Sequence, residues 1–319
     1  MSIYDPTHGE RRALIPSNWS FSQLSQVAGA PASYMRKLPA ELAAINLQWG
    51  IEKLCEREDA LVLAQSNGSN YLRAITSTSY GRIWDLQVVD GVRKMNAASG
   101  GRWVVPAASY STTNPKRATT LYASDRDVFI FLVDPRNPIE VPGKNGGKPE
   151  QLFRGFMTWN SEVGSATFGL TTFLYRYVCD NRIIWGATDV QELKIRHTSG
   201  APERFEYEGA RYLRRYAEES TGKLVAGIEA AQNAVIETNP GTGRDVASWL
   251  KSRGFTAPQA KAAVETAQAE EGEARTLWQV VQGVTAYARS LSNTDDRVDL
   301  ESKAGKLMDL ATTGKPLSA

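Results

Sequence analysis

The chain has 319 residues, of which 42% are hydrophobic, and its formal net charge is only +2 at pH 7. A chain of this length can bury a large core in one domain with an appendage or in two domains, and its small net charge excludes a nucleic-acid role based on global charge alone. No apolar run approaches the roughly 20 residues that span a bilayer, and the N-terminus has no signal-peptide pattern. Two cysteines, Cys55 and Cys179, allow one disulfide, but the sequence favours two buried reduced thiols. The sequence therefore predicts a cytoplasmic protein.

The N-terminal region is predicted to be an irregular arm followed by a helical unit. Prolines and a glycine that are too closely spaced for a regular element predict the arm over residues 1–20. Apolar residues at helical spacing then predict a first helix that Gly29 ends. Prolines at first helical positions start two more helices, the longer of which is predicted over residues 40–58.

From Leu61 onward the apolar period changes to two, which is typical of strands. An Asn-Gly pair between two alternating runs predicts a β-hairpin. The predicted elements of this part are a hairpin over residues 61–77, a helix over 85–95, a strand over 127–134, an exposed Pro- and Gly-rich loop over 135–149, and strands within 153–198.

The C-terminal third has little strand signal and is rich in Ala, Glu, Gln, Arg and Lys. It predicts one long helix over residues 210–238, followed by shorter helices at 244–253, 258–271, 274–291 and 297–312. The sequence thus predicts an α+β fold, with an antiparallel-rich central sheet, a helical N-terminal unit and a helical C-terminal third. The predicted divisions are an irregular arm over 1–20, an α+β core domain over 21–200 and a helical region over 201–319.

The clearest local signal for binding is a segment in which basic and aromatic residues are interleaved. Its basic residues are Arg73, Arg82, Arg93, Lys94, Arg102, Lys116 and Arg117, and its prominent rings are Tyr80, Trp84 and Trp103. Cations for phosphates and flat rings for unstacked bases together make a single-strand binding surface. The alternative is that the rings fill the core and the arginines lie on a solvated face.

A second basic and aromatic cluster lies where the long C-terminal helix is predicted to begin. It contains Arg204, Arg211, Arg214 and Arg215, with Tyr207, Tyr212 and Tyr216. Nearby glutamates explain this cluster equally well as intrahelical ion pairs.

No metal, cofactor or catalytic residue is predicted. Histidine occurs only at His8 and His197, and the two cysteines lack the close spacing of zinc ligands. Glu162, in the polar turn 160–164, is predicted to accept backbone hydrogen bonds. An enzyme that uses Glu162, Asp180 and His197 in one pocket stays open as an alternative.

A series of short motifs in chain order resembles a known family. The motifs are Gly100-Gly101-Arg102, Asn160-Ser161-Glu162-Val163-Gly164, the run from Arg176 to Asn181, Ile195-Arg196-His197-Thr198 and the run from Thr276 to Thr285. Over residues 21–310 they resemble the phage- and plasmid-borne family catalogued as a domain of unknown function, number 932, in which an Asn is usual in place of Gln282. The resemblance implies a mobile-element setting and no accepted activity, so no catalytic residue is carried over.

The strand–hairpin–strand–helix unit over residues 61–95 is similar in outline to single-strand annealing proteins, which phages encode and which form rings or filaments. We therefore expect a non-enzymatic, phage- or plasmid-encoded protein that binds single-stranded nucleic acid in replication or recombination. We expect it to form a homo-oligomer in the cytoplasm of a bacterial host cell and to bind less tightly as salt is added. The alternative is a protein-interaction factor, either an assembly component or an inhibitor of a host enzyme, that acts through the helical C-terminal region.

Overall fold

A computed structural model describes most of the chain. The described residues are 2–5, 10–54, 61–66, 69–106, 121–124, 126–143, 148–176, 181–185, 192–238, 245–291, 294–312 and 317–318. Their architecture is α+β, as the sequence predicts, with helices on both sides of a central antiparallel sheet in chain order. Within these residues, no helix is both long enough and apolar enough to span a membrane.

The central sheet has six strands in the described part of the chain. They are β6 (Leu121–Ala123), β7 (Val128–Val141), β8 (Glu150–Asn160), β9 (Phe168–Arg176), β10 (Asn181–Ile183) and β11 (Glu192–Ile195). The order is β10-β9-β8-β7-β6, all antiparallel, and β11 pairs with the opposite end of β9. Every residue of β9 is buried, which agrees with its mostly apolar sequence.

One face of the sheet packs against two helices, α4 (Asp85–Ala98) and α5 (Ala201–Glu218). Alternate residues of β7, β8 and β9 point toward this face, including Ile130, Phe156 and Leu170. The two helices also contact each other, and they bury Met95 and Phe205 in the same core.

The C-terminal helices pack around the β10 end of the sheet. They are α6 (Gly222–Asn233), α7 (Val246–Lys251), α8 (Ala257–Glu271), α9 (Leu277–Ser290) and α10 (Thr294–Thr312). Thr256 and Thr276 each form a capping box with a Gln three residues later, which fixes where α8 and α9 begin. Almost all of α9 is buried, so this helix is the centre of the C-terminal core and offers no docking face itself.

Buried ion pairs join the sheet to these helices. The Glu301 carboxylate on α10 accepts hydrogen bonds from Arg182 of β10 and Arg297 of its own helix, each at 2.9 Å. Arg176 of β9 pairs with Glu271 at the end of α8. Buried charges need such partners, because an unpaired buried charge is strongly destabilising.

The N-terminal unit contains a small three-stranded sheet and three helices within the described residues. The strands are β3 (Ile15–Pro16), β4 (Leu61–Ser66) and β5 (Asn70–Thr76), in the order β3-β5-β4, and the helices are α1 (Asn18–Val27), α2 (Ala32–Met35) and α3 (Ala40–Leu54). Leu14, Leu24 and Leu72 form its small buried core. The Ser17 side chain caps α1 by accepting a hydrogen bond from the Ser20 N–H at 3.2 Å.

The predicted irregular arm is wrong in part. Residues 2–5 and 10–13 form an antiparallel pair of strands, β1 (Ser2–Asp5) and β2 (Glu10–Ala13), and helix α1 already begins at Asn18.

The analogy with a compact annealing unit over 61–95 also does not match the packing. The β4–β5 hairpin belongs to the N-terminal core, whereas α4 packs on the central sheet.

The predicted loop over residues 135–149 begins too early, because β7 continues through Val141. Prolines are tolerated in this part of the strand because the pairing with β8 is irregular between Asp134 and Ile139. The Asp134 carboxylate stabilises the bulge by accepting hydrogen bonds from the Arg136 N–H at 3.1 Å and the Asn137 amide at 2.8 Å.

The predicted long helix over residues 210–238 is two helices. The first, α5, begins at Ala201 and ends at Glu218. A proline lies in its first turn, where proline is well tolerated because the backbone N–H groups of that turn have no partner within the helix. A Ser-Thr-Gly sequence then interrupts the helix before α6. After α6 the chain becomes extended and forms β12 (Ile236–Glu237), which pairs in parallel with β13 (Leu317–Ser318).

Candidate functional site

The Glu162 carboxylate holds two of the predicted phosphate-binding arginines. Its Oε2 accepts hydrogen bonds from Arg82 at 2.5 Å and Arg73 at 3.3 Å, and all three side chains are largely buried. Its Oε1 accepts the Asp85 N–H at 2.7 Å, so Glu162 also caps the first turn of α4. Glu162 therefore links Arg73 of β5, in the N-terminal unit, and Arg82, which precedes α4, to the turn that follows β8.

Polar groups around Glu162 complete a structural network. The Tyr80 hydroxyl donates to the backbone oxygens of Ser161 and Glu162, at 3.1 and 3.2 Å, and burial raises the pKa of this hydroxyl. Burial also raises the pKa of the Asp85 carboxyl to about 6, with a smaller contribution from the negative charge of Glu162. His197 stacks on Tyr80, with ring centroids 5.2 Å apart, and burial lowers its pKa.

Two of the predicted stacking rings, Trp84 and Trp103, differ in how exposed they are. Trp84 is 50% exposed, with the Arg82 guanidinium 3.5 Å from its ring centroid, so one face of Trp84 is already covered. Trp103 is 2% exposed and packs edge-on against Phe156 and in a stack with Tyr216. The prediction that Trp103 stacks on a base is wrong in this structure, because the sheet and α5 enclose its ring.

Three of the remaining predicted cations, Arg93, Lys94 and Arg102, lie on the α4 side of the sheet. Arg93 and Lys94 are exposed and pair with Asp90 and Glu206, respectively. Arg102 donates to the Ser99 backbone oxygen at 3.1 Å. Lys116 and Arg117 lie outside the described residues. The predicted set therefore does not converge on one exposed surface in the part of the chain that is described.

The arginines of the second basic cluster are exposed along α5, whereas its Tyr216 is buried. Arg204 pairs with Glu208 at 2.8 Å, as an intrahelical pair would. Arg211, Arg214 and Arg215 instead line a shallow surface depression with Glu218 and Glu219.

A cleft of about 730 Å³ opens on the face of the central sheet opposite α4 and α5. Its floor is formed by alternate residues of three neighbouring strands: Phe129 of β7, Met157 and Trp159 of β8, and Thr171 of β9. Clefts of this size are the usual form of a ligand site. Because the floor is a sheet and the walls are helices, the cleft is held by rigid elements.

Two aromatic residues of neighbouring strands contribute to the floor. Phe129 and Trp159 are directly opposite each other in the β7–β8 register, and both are partly exposed. A third partly exposed ring, Trp19 of α1, stands at the rim, and its indole N–H donates to the Val163 backbone oxygen at 3.0 Å. A fourth ring, Trp185, is buried in the wall and donates to the Asp309 carboxylate at 2.9 Å.

Charged groups around the cleft balance each other. The basic residues are Arg126, Lys194 and Lys306, and the acidic residues are Asp127, Glu192 and Asp309. Each acidic group has a hydrogen-bond or ion-pair partner: Ser165 donates to Asp127 at 2.5 Å, Trp185 donates to Asp309, and Lys194 lies 2.8 Å from Glu192. The cleft therefore combines exposed rings with nearby cations and has no excess of either charge.

Other classes of site find little support in the described residues. No group of three or more His, Cys, Asp or Glu side chains in them could hold a metal ion. Glu162 and His197 belong to the network around Tyr80, and neither lines the cleft. Asp180, the third member of the enzyme hypothesis, is outside the described residues.

The cleft is only weakly indicated by local sequence patterns. Phe129 and Trp159 occur in strands that were recognised, but their pairing depends on the register of β7 and β8, which no local pattern specifies. Trp19 comes from the distant N-terminal unit, within the arm that was predicted to be irregular.

The family comparison covers the sheet that carries this cleft. The family model described as "Domain of unknown function (DUF932)" matches residues 116–304, which is more than half of the chain. The chain belongs to the DUF932 family. The match contains β6 to β11 and the helices from α5 to the middle of α10, and it leaves the N-terminal unit outside. No curated protein and no solved structure matches the chain.

DUF932 membership confirms the resemblance found in the motifs, although the matched range is shorter than residues 21–310. The Gly100-Gly101-Arg102 motif precedes the match, whereas the other motifs lie inside it. Most of the cleft floor and its charged rim belong to the DUF932 range, and Trp19 is the contribution of the N-terminal unit.

Proposed function

We propose that this DUF932 protein binds single-stranded nucleic acid, with unstacked bases placed against the rings of the sheet-face cleft. The observation that carries the proposal is that two partly exposed rings, Phe129 and Trp159, come from directly opposed residues of β7 and β8 on the floor of the cleft. Sheet surfaces with neighbouring rings are a common platform for unpaired bases, because every base has a flat π face.

Stacking supplies the main binding energy in this proposal. Each stacked base contributes about 1–3 kcal/mol, so two floor rings and Trp19 can hold a short strand. The cations contribute less, because acidic groups balance them. For a single strand, the logarithm of the binding constant changes by about −0.7 per phosphate contact for each decade of salt. The cleft therefore favours a shallow salt dependence, in contrast to the steep one expected from the predicted arginines.

The proposal extends to replication or recombination as the process that this binding serves, and the phage or plasmid setting that the motif resemblance implies supports it. Binding in such a role requires no catalytic group, and strand annealing by a homo-oligomer is one process that would use it. DNA and RNA share the flat bases on which the proposal depends, so oligonucleotides of both kinds belong in the test.

The test is fluorescence anisotropy with a short labelled oligothymidine and its RNA counterpart at low salt. Trp159→Ala should weaken binding by about 5- to 150-fold, the equivalent of one lost stacking partner. Trp84→Ala is the matched control, because this indole is also exposed but lies outside the cleft. A wild-type protein that binds neither oligonucleotide would refute the proposal. A loss of binding in the Trp84 variant alone would instead support the predicted surface around residues 73–117.

A further inference from the structure

Helix α3 carries an unusual amount of exposed apolar surface. Ile45 is 62% exposed, Trp49 56% and Leu42 49%. Isolated exposed apolar residues are normal, but three large ones on neighbouring turns of one helix form a contiguous patch. Patches of this kind mark protein interaction sites.

The same helix has a second apolar face that the fold already uses. Ala43 and Gly50 are buried, and Leu47 and Ile51 pack on the core of the N-terminal unit. At Gly50 the backbone of α3 lies so close to Ala28 that any Cβ atom would collide with it. Because this inner face holds α3 in place, the outer patch is not needed for the packing of the N-terminal unit.

The outer face has a definite order of charges. Glu41, Ile45, Trp49 and Lys53 follow one another at four-residue intervals, so they form one ridge along the helix, and all four are exposed. The ridge is acidic at one end, apolar in the middle and basic at the other end. Ile45 and Trp49 lie at equal distances on either side of Leu47, and so do Glu41 and Lys53.

We propose that α3 pairs with α3 of a second copy of this chain, in antiparallel orientation about a two-fold axis that crosses the outer face of the helix at the level of Leu47. This two-fold axis allows an apolar contact and a charge pair to form together. Ile45 packs against Trp49 of the other copy, and Glu41 faces Lys53 of the other copy. A parallel arrangement would instead bring like charges together. A two-fold interface must be self-complementary, and this ridge meets that condition in charge as well as in apolarity. The proposal is independent of nucleic-acid binding.

The charge arrangement gives a specific test by sedimentation velocity over a concentration series from about 1 μM to about 1 mM. The wild type should dimerise, and Glu41→Lys and Lys53→Glu should each weaken the dimer, because each places like charges opposite each other. The double variant E41K/K53E should recover most of the wild-type affinity. Recovery distinguishes antiparallel pairing from a general loss of solubility or fold.

The apolar centre is tested with the double variant Ile45→Asp/Trp49→Asp, which should be monomeric throughout the series. Leu86→Asp is the matched control, because Leu86 is 68% exposed on α4 and should leave the dimer intact. Circular dichroism and the melting temperature show whether each variant is folded. A wild type that is monomeric at every concentration would overturn the proposal, and so would a dimer that I45D/W49D leaves unchanged in a folded protein.

Discussion

The Trp159 indole lies directly over Gly169, its cross-strand partner in β9. A Cβ atom built on Gly169 would collide with the six-membered part of the indole, so only glycine leaves room for the ring in this orientation. Thus Gly169 of β9, because it has no side chain, allows the Trp159 ring to take its position on the floor of the cleft. Lys194 of β11 lies opposite the same glycine on its other side.

Gly169→Val should displace the Trp159 ring and destabilise the protein. Placing a β-branched side chain in this filled space should lower the free energy of unfolding by about 1–3 kcal/mol, which urea denaturation measures. The double variant G169V/W159A should be less destabilised than the sum of its single changes, because the colliding ring is gone. Gly200→Ala is the control, since a Cβ at Gly200 would contact nothing within 4 Å. Additive effects would show that the two residues do not interact as described.

Glu162→Gln should strongly destabilise the junction between the N-terminal unit and the central sheet. The change removes the negative charge that accepts hydrogen bonds from Arg73 and Arg82. Breaking a buried ion pair costs about 3–5 kcal/mol, and we expect about 2–4 kcal/mol here because both arginines keep some contact with water.

The matched control for this change is Glu206→Gln, which removes the partner of exposed Lys94 and should cost less than about 1 kcal/mol. Urea denaturation compares the two variants. Equal effects would contradict the assignment of Glu162 as the residue that joins these parts.

The stability of the protein should depend on the charge of Asp85. Its pKa is about 6 in the folded protein against 3.8 in the absence of perturbation, so the folded state binds more protons between these two pH values. The contribution of this carboxyl therefore becomes less favourable as pH rises from about 4 to about 6, and the penalty is fully present above that range. The free energy of unfolding of Asp85→Asn, relative to wild type, should increase over this window and then stay constant.

Titrating groups that do not interact with Asp85 cancel in this comparison, because they are common to both proteins. Chemical denaturation of wild type and D85N at a series of pH values measures the difference. A difference that is independent of pH, or one that decreases from pH 4 to pH 6, would contradict the assigned pKa shift.

Several elements of the fold were predictable because their signals are local. The helices at 257–271 and 277–290 follow Thr-x-x-Gln capping boxes, and the α4 and β7 signals gave the right element types. The break of the long C-terminal helix was missed because Ser-Thr-Gly is only a weak helix-stop signal. The continuation of β7 past Pro135 was missed because it depends on a bulge that Asp134 stabilises.

The site was less predictable than the fold, because it depends on which faces of the sheet and helices are covered by other elements. The basic and aromatic segment was visible in the sequence, but its members divide between a buried ion-pair network, a core and an outer helix face. Whether Trp103 is a core residue or a stacking ring depends on α5, which is about 100 residues away in the chain. The pairing of Phe129 with Trp159 similarly depends on strand register.

Photo-cross-linking most directly tests the claim that bases bind in the sheet-face cleft. A single-stranded oligonucleotide that contains 5-iodouracil can be irradiated in complex with the full-length protein, and mass spectrometry then locates the modified residues. Base stacking in the cleft predicts adducts on Phe129, Trp159 or Trp19. Adducts confined to Trp84 or to the outer faces of α4 and α5, or the absence of any adduct, would contradict it.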